Sequence, residues 1–298
     1  MDRLIKRQDV EQFVIVDCLW TGLKSNLDHI DDARVQFVQR DIENYRSPEP
    51  FDEIYHLASP ASPKWYMNEP VRTISANVLG AMRLLEMLKS DGRFCYTSTS
   101  EVYGDPIVSP QPETYRGSVD CTGPRSAYDE SKRCVEALLF QAKRVNGLDV
   151  KVVRLFNVFG PRTRPDDGRA VSNFINQAIN GADLTIFGDG RQTRSWGYVD
   201  DIMDALERFF WLDDCDYPGP LNIGNDREIP VIDVARYIIE KHFPRAKLEY
   251  LPPIPQDPTN RRPDLTLINK MLPRWKCAVE YEEGVDRTVD WFKSAIKK

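Results

Sequence analysis

The sequence predicts an α/β protein: a doubly wound parallel sheet covered by helices, joined to a smaller, loop-rich α/β region. Short runs rich in Val, Ile and Phe alternate with longer stretches of helical period, the pattern of a parallel sheet buried on both faces. With 298 residues, 41% hydrophobic and 10% aromatic, the chain has apolar material for one large or two moderate cores, at roughly 150 residues per domain. After Gly160-Pro161 the character changes to loops rich in Arg, Pro and Asp. A first domain over 1–160 and a second region over 161–298 are therefore expected, with some of the later chain returning to the sheet.

The strand candidates of the first domain are Phe13–Asp17, Val35–Gln39, 53–57, 94–98 and 150–156. Between them, a helix is predicted over 69–89, where Val71, Ile74, Val78, Met82 and Leu85 recur at helical spacing, and another over 127–145. Residues 1–12 read as the tail of a helix. Beyond 160, the pattern predicts a short helix from Val171, a strand at Leu184–Phe187, a helix over 200–211, a strand at Leu221–Ile223 and a helix at Val231–His242. A Pro-rich stretch over 252–263 then precedes two closing helices. Loops attached to a βα sheet are where ligand selection is usually placed.

Composition excludes several classes. The 46 Asp and Glu against 40 Lys and Arg leave a net charge of −6, which argues against a general nucleic-acid binder. No apolar run approaches the roughly 20 residues of a membrane span, and no signal peptide opens the chain. A soluble, cytoplasmic protein is expected. Cys18, Cys95, Cys121, Cys134, Cys215 and Cys277 form no C-x-x-C pattern, which fits reduced thiols. His29, His56 and His242 have no paired spacing, so no metal site is expected.

The strongest chemical feature is Ser98-Thr99-Ser100-Glu101 at the end of a strand, followed by Tyr128-Asp-Glu-Ser-Lys132 opening a helix. Positions i and i+4 share a helix face, so Tyr128 and Lys132 project to one side. A phenol is a weak base at neutral pH, but a neighbouring ammonium favours the phenolate. The spacing alone is weak, since chance supplies on the order of one such pair per chain of this size. Tyr237 and Lys241 share it, with Tyr237 expected to face the core and Lys241 water. Only the Tyr128 pair follows a strand ending in hydroxyls.

Arg194, in the glycine-bearing run 187–196, and Arg261, after the Pro-rich stretch, are candidates for bidentate bonds to phosphate or carboxylate; solvated charged loops are the alternative. Asp17, at the end of the first strand, and Asp41 and Ile42, after the second, stand where a dinucleotide fold places ribose and adenine contacts. An acid at Asp17 favours NAD over NADP by repelling a 2′-phosphate. A turn or capping role is the alternative for each.

These residues resemble the extended short-chain dehydrogenases/reductases of the NAD-dependent epimerase/dehydratase type that act on nucleotide sugars, and among them most the UDP-glucuronate decarboxylases (UDP-xylose synthases). The resemblance is carried by 56–63 (His-Leu-Ala-Ser-Pro-Ala-Ser-Pro), 98–106, 128–133, 155–161, 167–174, 188–194 and 261–264, in family order over nearly the whole chain. It implies a Rossmann-like sheet and the cofactor NAD. It implies Thr99, Tyr128 and Lys132 as the oxidoreductase core, with Glu101 as acid/base near C5 of the sugar. Asp17, Asp41, Ile42, Leu57, Tyr128 and Lys132 would contact the cofactor, and Ser100, Asn157, Arg194 and Arg261 the UDP-sugar. In that chemistry the C4 hydroxyl is oxidised, Tyr128 taking its proton. Carbon dioxide then leaves as electrons flow into the 4-ketone, and protonation at C5 with return of the hydride gives the pentose. A homodimer through the two long helices is likewise implied.

Departures accompany the resemblance. The family opens with a strand and a glycine-rich turn that binds the NAD pyrophosphate, and no such turn occurs here. The acid follows that turn by roughly 20 residues, which puts it ahead of Met1, so an N-terminally truncated sheet is expected, with residues 1–12 as the remainder of the first helix. Ser100 replaces the Asp usual in 4,6-dehydratases. Arg116 stands where these decarboxylases usually carry Trp, and Ser75 where some carry a basic residue. The alternatives are a 4,6-dehydratase, a 4-epimerase, or a nucleotide-sugar-binding homologue impaired in holding NAD.

Overall fold

The structure is a computed structural model that describes residues 1–213, 217, 219–253 and 260–296. In chain order, β1 (Phe13–Asp17), β2 (Val35–Gln39) and β3 (Phe51–His56) precede α1 (Pro63–Tyr66) and α2 (Pro70–Glu86). Pro70 starts α2 at a position where a missing N–H costs nothing. Then come β4 (Leu88–Thr99), α3 (Ser126–Asn146), β5 (Asp149–Leu155) and β6 (Asn157–Phe159). Gly147 ends α3 in the left-handed conformation, φ 69°. The second region holds α4 (Ala170–Ile179), β7 (Leu184–Phe187), β8 (Thr193–Tyr198), α5 (Val199–Phe210), β9 (Leu221–Ile223), β10 (Glu228–Pro230), α6 (Val231–His242), β11 (Leu248–Leu251), α7 (Thr266–Met271) and α8 (Tyr281–Ile296).

The main sheet has the order β3-β4-β5-β9, all parallel. Phe94, Cys95 and Tyr96 on β4 and Val150, Val152 and Val153 on β5 are all buried, because helices cover both faces. Leu84, Val135 and Leu139 of α2 and α3 close one face, and Leu206, Phe209 and Phe210 of α5 close the other. The chain after 160 builds its own core, in which Phe174 and Ile175 meet Val234, Ile238, Val285 and Phe292. Its strands form the small sheets β10-β8-β6 and β11-β7.

The parallel pair β1-β2 stands apart from the main sheet. No hydrogen-bonded pairing joins β1 to β3 among the described residues, and the two are held together by side chains such as Val16 packing on the cluster of Ile54 and Phe94. Residues 1–12 contain only a 3-10 turn, Leu4–Lys6, in place of the expected helix remnant. The reason lies in Arg34, whose guanidinium takes the carbonyls of Ile5, Arg7 and Val10, and in Arg7, which pairs with Glu53 on β3.

Other boundaries moved for local reasons. β4 begins at Leu88, ahead of the expected Phe94, because its polar opening Lys89-Ser90-Asp91-Gly92 carries no strand signal. The strands β6, β8, β10 and β11 were not expected; β6 and β10 have three residues each, and β8 is stabilised by partners on both sides rather than by its own pattern. Cys18, Cys95, Cys121, Cys134 and Cys277 are free thiols; Cys215 and residues 254–259 of the Pro-rich stretch lie outside the described residues. Among the described residues no helix is long and apolar enough to cross a membrane.

Candidate active site

The site forms where β4 ends and α3 begins. Thr99 is the last residue of β4, and its hydroxyl accepts from the Glu101 backbone N–H at 3.2 Å, turning the chain into a short 3-10 helix, Ser100–Tyr103. Opposite, Tyr128 and Lys132 lie on the α3 face that packs on the sheet. Lys132 is 2% exposed and donates to the carbonyl of Thr97 at 2.8 Å, with its ammonium 4.7 Å from the Tyr96 ring centre. Burial brings its ionisation down to about 7, opposed by Glu136. Asn77 of α2 donates to Ser131 at 2.8 Å and ties the two long helices together beside it.

Tyr128 stacks on Tyr66 of α1, with ring centres 4.9 Å apart and planes within 9°. Such a pair contributes about 0.5–1.5 kcal/mol beyond its burial. The phenol itself is raised above its ordinary range by burial, with a hydrogen bond to Thr99 opposing. The ammonium of Lys132 sits 5.8 Å from the Tyr128 ring centre, and its hydrogen bond goes to the sheet. The expected lowering by this lysine does not figure among the main influences on the phenol, and the hydrogen bond of Lys132 goes to the Thr97 carbonyl.

Glu101 is held by two guanidinium groups. Arg125 donates to its Oε2 at 2.7 Å and Arg261 to the same oxygen at 2.9 Å. Burial would raise this carboxyl, but Arg261 and Arg125 hold it well below the usual carboxylate range. Arg261 also donates to the carbonyl of Gly104. Gly104 has φ +63°, and a Cβ there would lie 2.2 Å from the carbonyl oxygen of Ser118, so only glycine lets this turn bring its carbonyl to the arginine. Ser100 is buried between the two catalytic candidates that flank it in sequence.

The other expected residues fall along the same edge or pack nearby. Arg194 is buried on β8 and donates to the Thr193 carbonyl at 2.8 Å. The next residue, Ser195, donates its N–H to the Arg261 carbonyl at 3.1 Å, which brings these two arginine segments together. Asn157 opens β6, opposite Trp196. Asp17 ends β1, Asp41 lies just beyond β2 and Leu57 directly follows β3, the strand ends at which parallel sheets bind ligands. Asp17 also serves its own turn, accepting from the Leu19 N–H at 2.7 Å. Asp41 pairs with Arg72 at 3.1 Å. Ile42 is a core residue, set against Gly80, where a Cβ would meet it at 2.7 Å. A cavity of about 250 Å³ opens between Thr21 after β1, Ser59 and Ala61 after β3, and Arg162, Arg164 and Arg169.

Three residues went unnoticed in the sequence. Arg125 precedes Tyr128 by three positions and could have been read as a charge at the helix start. Tyr66 carried no signal beyond being aromatic. Asp129 is buried although acidic, which only packing reveals. Tyr237 packs against the core of the second region and Lys241 is exposed, as expected. Lys241 donates to the Tyr237 hydroxyl at 2.9 Å and to Asp286 at 2.6 Å, a surface cluster between α6 and α8.

The residues present fit NAD in part. Acids after β1 and β2 and a buried tyrosine and lysine at the β4 end suit its ribose and nicotinamide ends. The first glycine of the chain is Gly22, and the next is Gly80, so the described residues before β3 provide no glycine turn for its pyrophosphate.

Residues 6–224 match the NAD dependent epimerase/dehydratase family. The chain is 41% identical over 298 residues to UDP-glucuronic acid decarboxylase 1 of Arabidopsis thaliana, covering 99% of this chain and 67% of that protein. It is 42% identical over 287 residues to UDP-glucuronic acid decarboxylase 5 of the same plant, covering 96% and 82%. The fold is similar to that of UDP-glucose 4-epimerase from Thermotoga maritima, solved with UDP-glucose, at a TM-score of 0.84 and 28% identity over 99% of this chain and 94% of that one. The chain belongs to the NAD dependent epimerase/dehydratase family, whose members include the UDP-glucuronic acid decarboxylases it resembles in sequence.

Proposed function

We propose that this chain decarboxylates UDP-glucuronate to UDP-xylose through a 4-keto sugar. The observation that carries the reading is Glu101 beneath two arginines, next to Ser100 and one turn from the Thr99, Tyr128 and Lys132 group. A decarboxylase needs no acid at position 100 to expel a hydroxyl, and it needs cationic groups that accept an anionic sugar. NAD, when bound, supplies hydride exchange at C4. Tyr128 takes the proton of the C4 hydroxyl, with Thr99 holding the phenol oxygen. Once a 4-ketone stands β to the carboxylate, carbon dioxide leaves with the electron pair passing to the ketone oxygen. Glu101 governs the proton that C5 then receives, and Asn157, Arg194 and Arg261 bind the nucleotide sugar.

Incubation with UDP-glucuronate and NAD should yield carbon dioxide and UDP-xylose. A deoxy-keto product from UDP-glucose or dTDP-glucose would overturn the decarboxylase reading in favour of a dehydratase.

The unpaired edges of β1 and β3 support a second reading, in which the chain as it stands holds a nucleotide sugar but NAD only weakly. The resemblance expects one further strand and its glycine turn between these two edges. Calorimetric titration should find NAD bound much more weakly by these 298 residues than by a form extended upstream by such a segment; equal affinity removes this reading.

A further inference from the structure

Asp129 is 5% exposed, and its Oδ1 is buried with no hydrogen-bond partner. No ion pair to its side chain occurs among the described residues, although two arginines stand close by; both are committed to Oε2 of Glu101. A buried carboxylate with no donor and another carboxylate nearby is a high-energy arrangement, and the group relieves it by keeping its proton. The charged groups facing it act in both directions, and the raising ones prevail. Burial raises Asp129, as do Glu101 and, more weakly, its helix neighbour Glu130, while Arg125 and Arg261 only partly oppose them. Tyr66 and Tyr128 also face this cluster, and both are themselves raised by burial.

We propose that Asp129 is carried as the neutral acid and sets the charge balance around Glu101, a positioning residue for the reaction proposed above, on which this inference rests. With Asp129 neutral, one carboxylate faces two guanidinium groups and the pocket has a surplus positive charge, suited to an anionic sugar.

Infrared spectroscopy of the chain without nucleotide tests the state of Asp129 directly. Wild type at pH 7 should show the carbonyl band of a protonated carboxylic acid. The isosteric Asp129→Asn variant should lose it and Tyr128→Phe should keep it. In Glu101→Gln the band should disappear at a lower pH than in wild type, since the repelling charge is gone; a purely structural Asp129 would not respond to Glu101. A band absent from wild type, unchanged in Asp129→Asn or insensitive to Glu101→Gln overturns the proposal. Decarboxylation measured alongside separates the two readings. A band with the predicted responses but no carbon dioxide from UDP-glucuronate sinks the decarboxylase and leaves Asp129 a neutral acid; carbon dioxide without the band does the reverse.

Discussion

Arg261 donates to Glu101 at 2.9 Å across 160 residues of chain, so the C-terminal region closes the site that the end of β4 opens. Arg261 is 1% exposed and also reaches the Gly104 carbonyl. Removing one partner of a buried ion pair costs about 3–5 kcal/mol, and the partial exposure of Glu101 puts Arg261→Met at the lower end. Arg261→Lys should recover only part of this, because an ammonium does not present the planar fork that spans both acceptors. Denaturant unfolding measures the loss; a change within about 0.5 kcal/mol would show that the pair contributes little.

Tyr128→Phe should reduce turnover by at least about a hundredfold, the ordinary scale of a lost general base. The Tyr66 stack needs only the ring, so UDP binding and thermal stability should hardly change. Turnover near the wild-type rate would remove Tyr128 from its assigned role.

His56 is buried beside Lys132, and neither ring nitrogen has a hydrogen-bond partner. Burial, with Lys132 adding to it, pulls the imidazole down to about 3. The unfolded chain takes up this proton below pH 6.5, whereas the folded chain does so only near 3. The resulting stability is full above pH 6.5 and is lost as the pH falls towards 3. At pH 5 the loss is about 2 kcal/mol. Unfolding of wild type and His56→Phe at pH 7 and pH 5 should differ in pH dependence by this amount, and parallel curves would refute it.

Val71, Ile74 and Met82 form an exposed apolar stripe on α2, with Val71 79% exposed. Folded chains rarely leave such a stripe in water, which fits the homodimer through the two long helices that the resemblance implies. Ile74→Asp should shift sedimentation from dimer to monomer without unfolding the chain. A wild-type chain that sediments as a monomer at micromolar concentration sinks the dimer.

Periodicity by itself determined the parallel sheet and its covering helices, because burying a strand on both faces demands continuous apolar runs that the chain displays openly. β1, β2, β7, β9 and α6 have the bounds the pattern predicts. Helical spacing likewise put Tyr128 and Lys132 on one face. Spacing could not say what either would touch. Tyr237 and Lys241 have the same separation and do bond to each other, whereas Lys132 turns to Thr97, because a buried ammonium takes whichever acceptor the sheet presents. Arg125 and Arg261 reach Glu101 from 24 and 160 residues away, and the break between β1 and β3 is a fact of strand pairing. Tertiary structure alone decided these, since hydrogen bonds and charge pairs depend on distance in space, and only folding converts sequence separation into that distance.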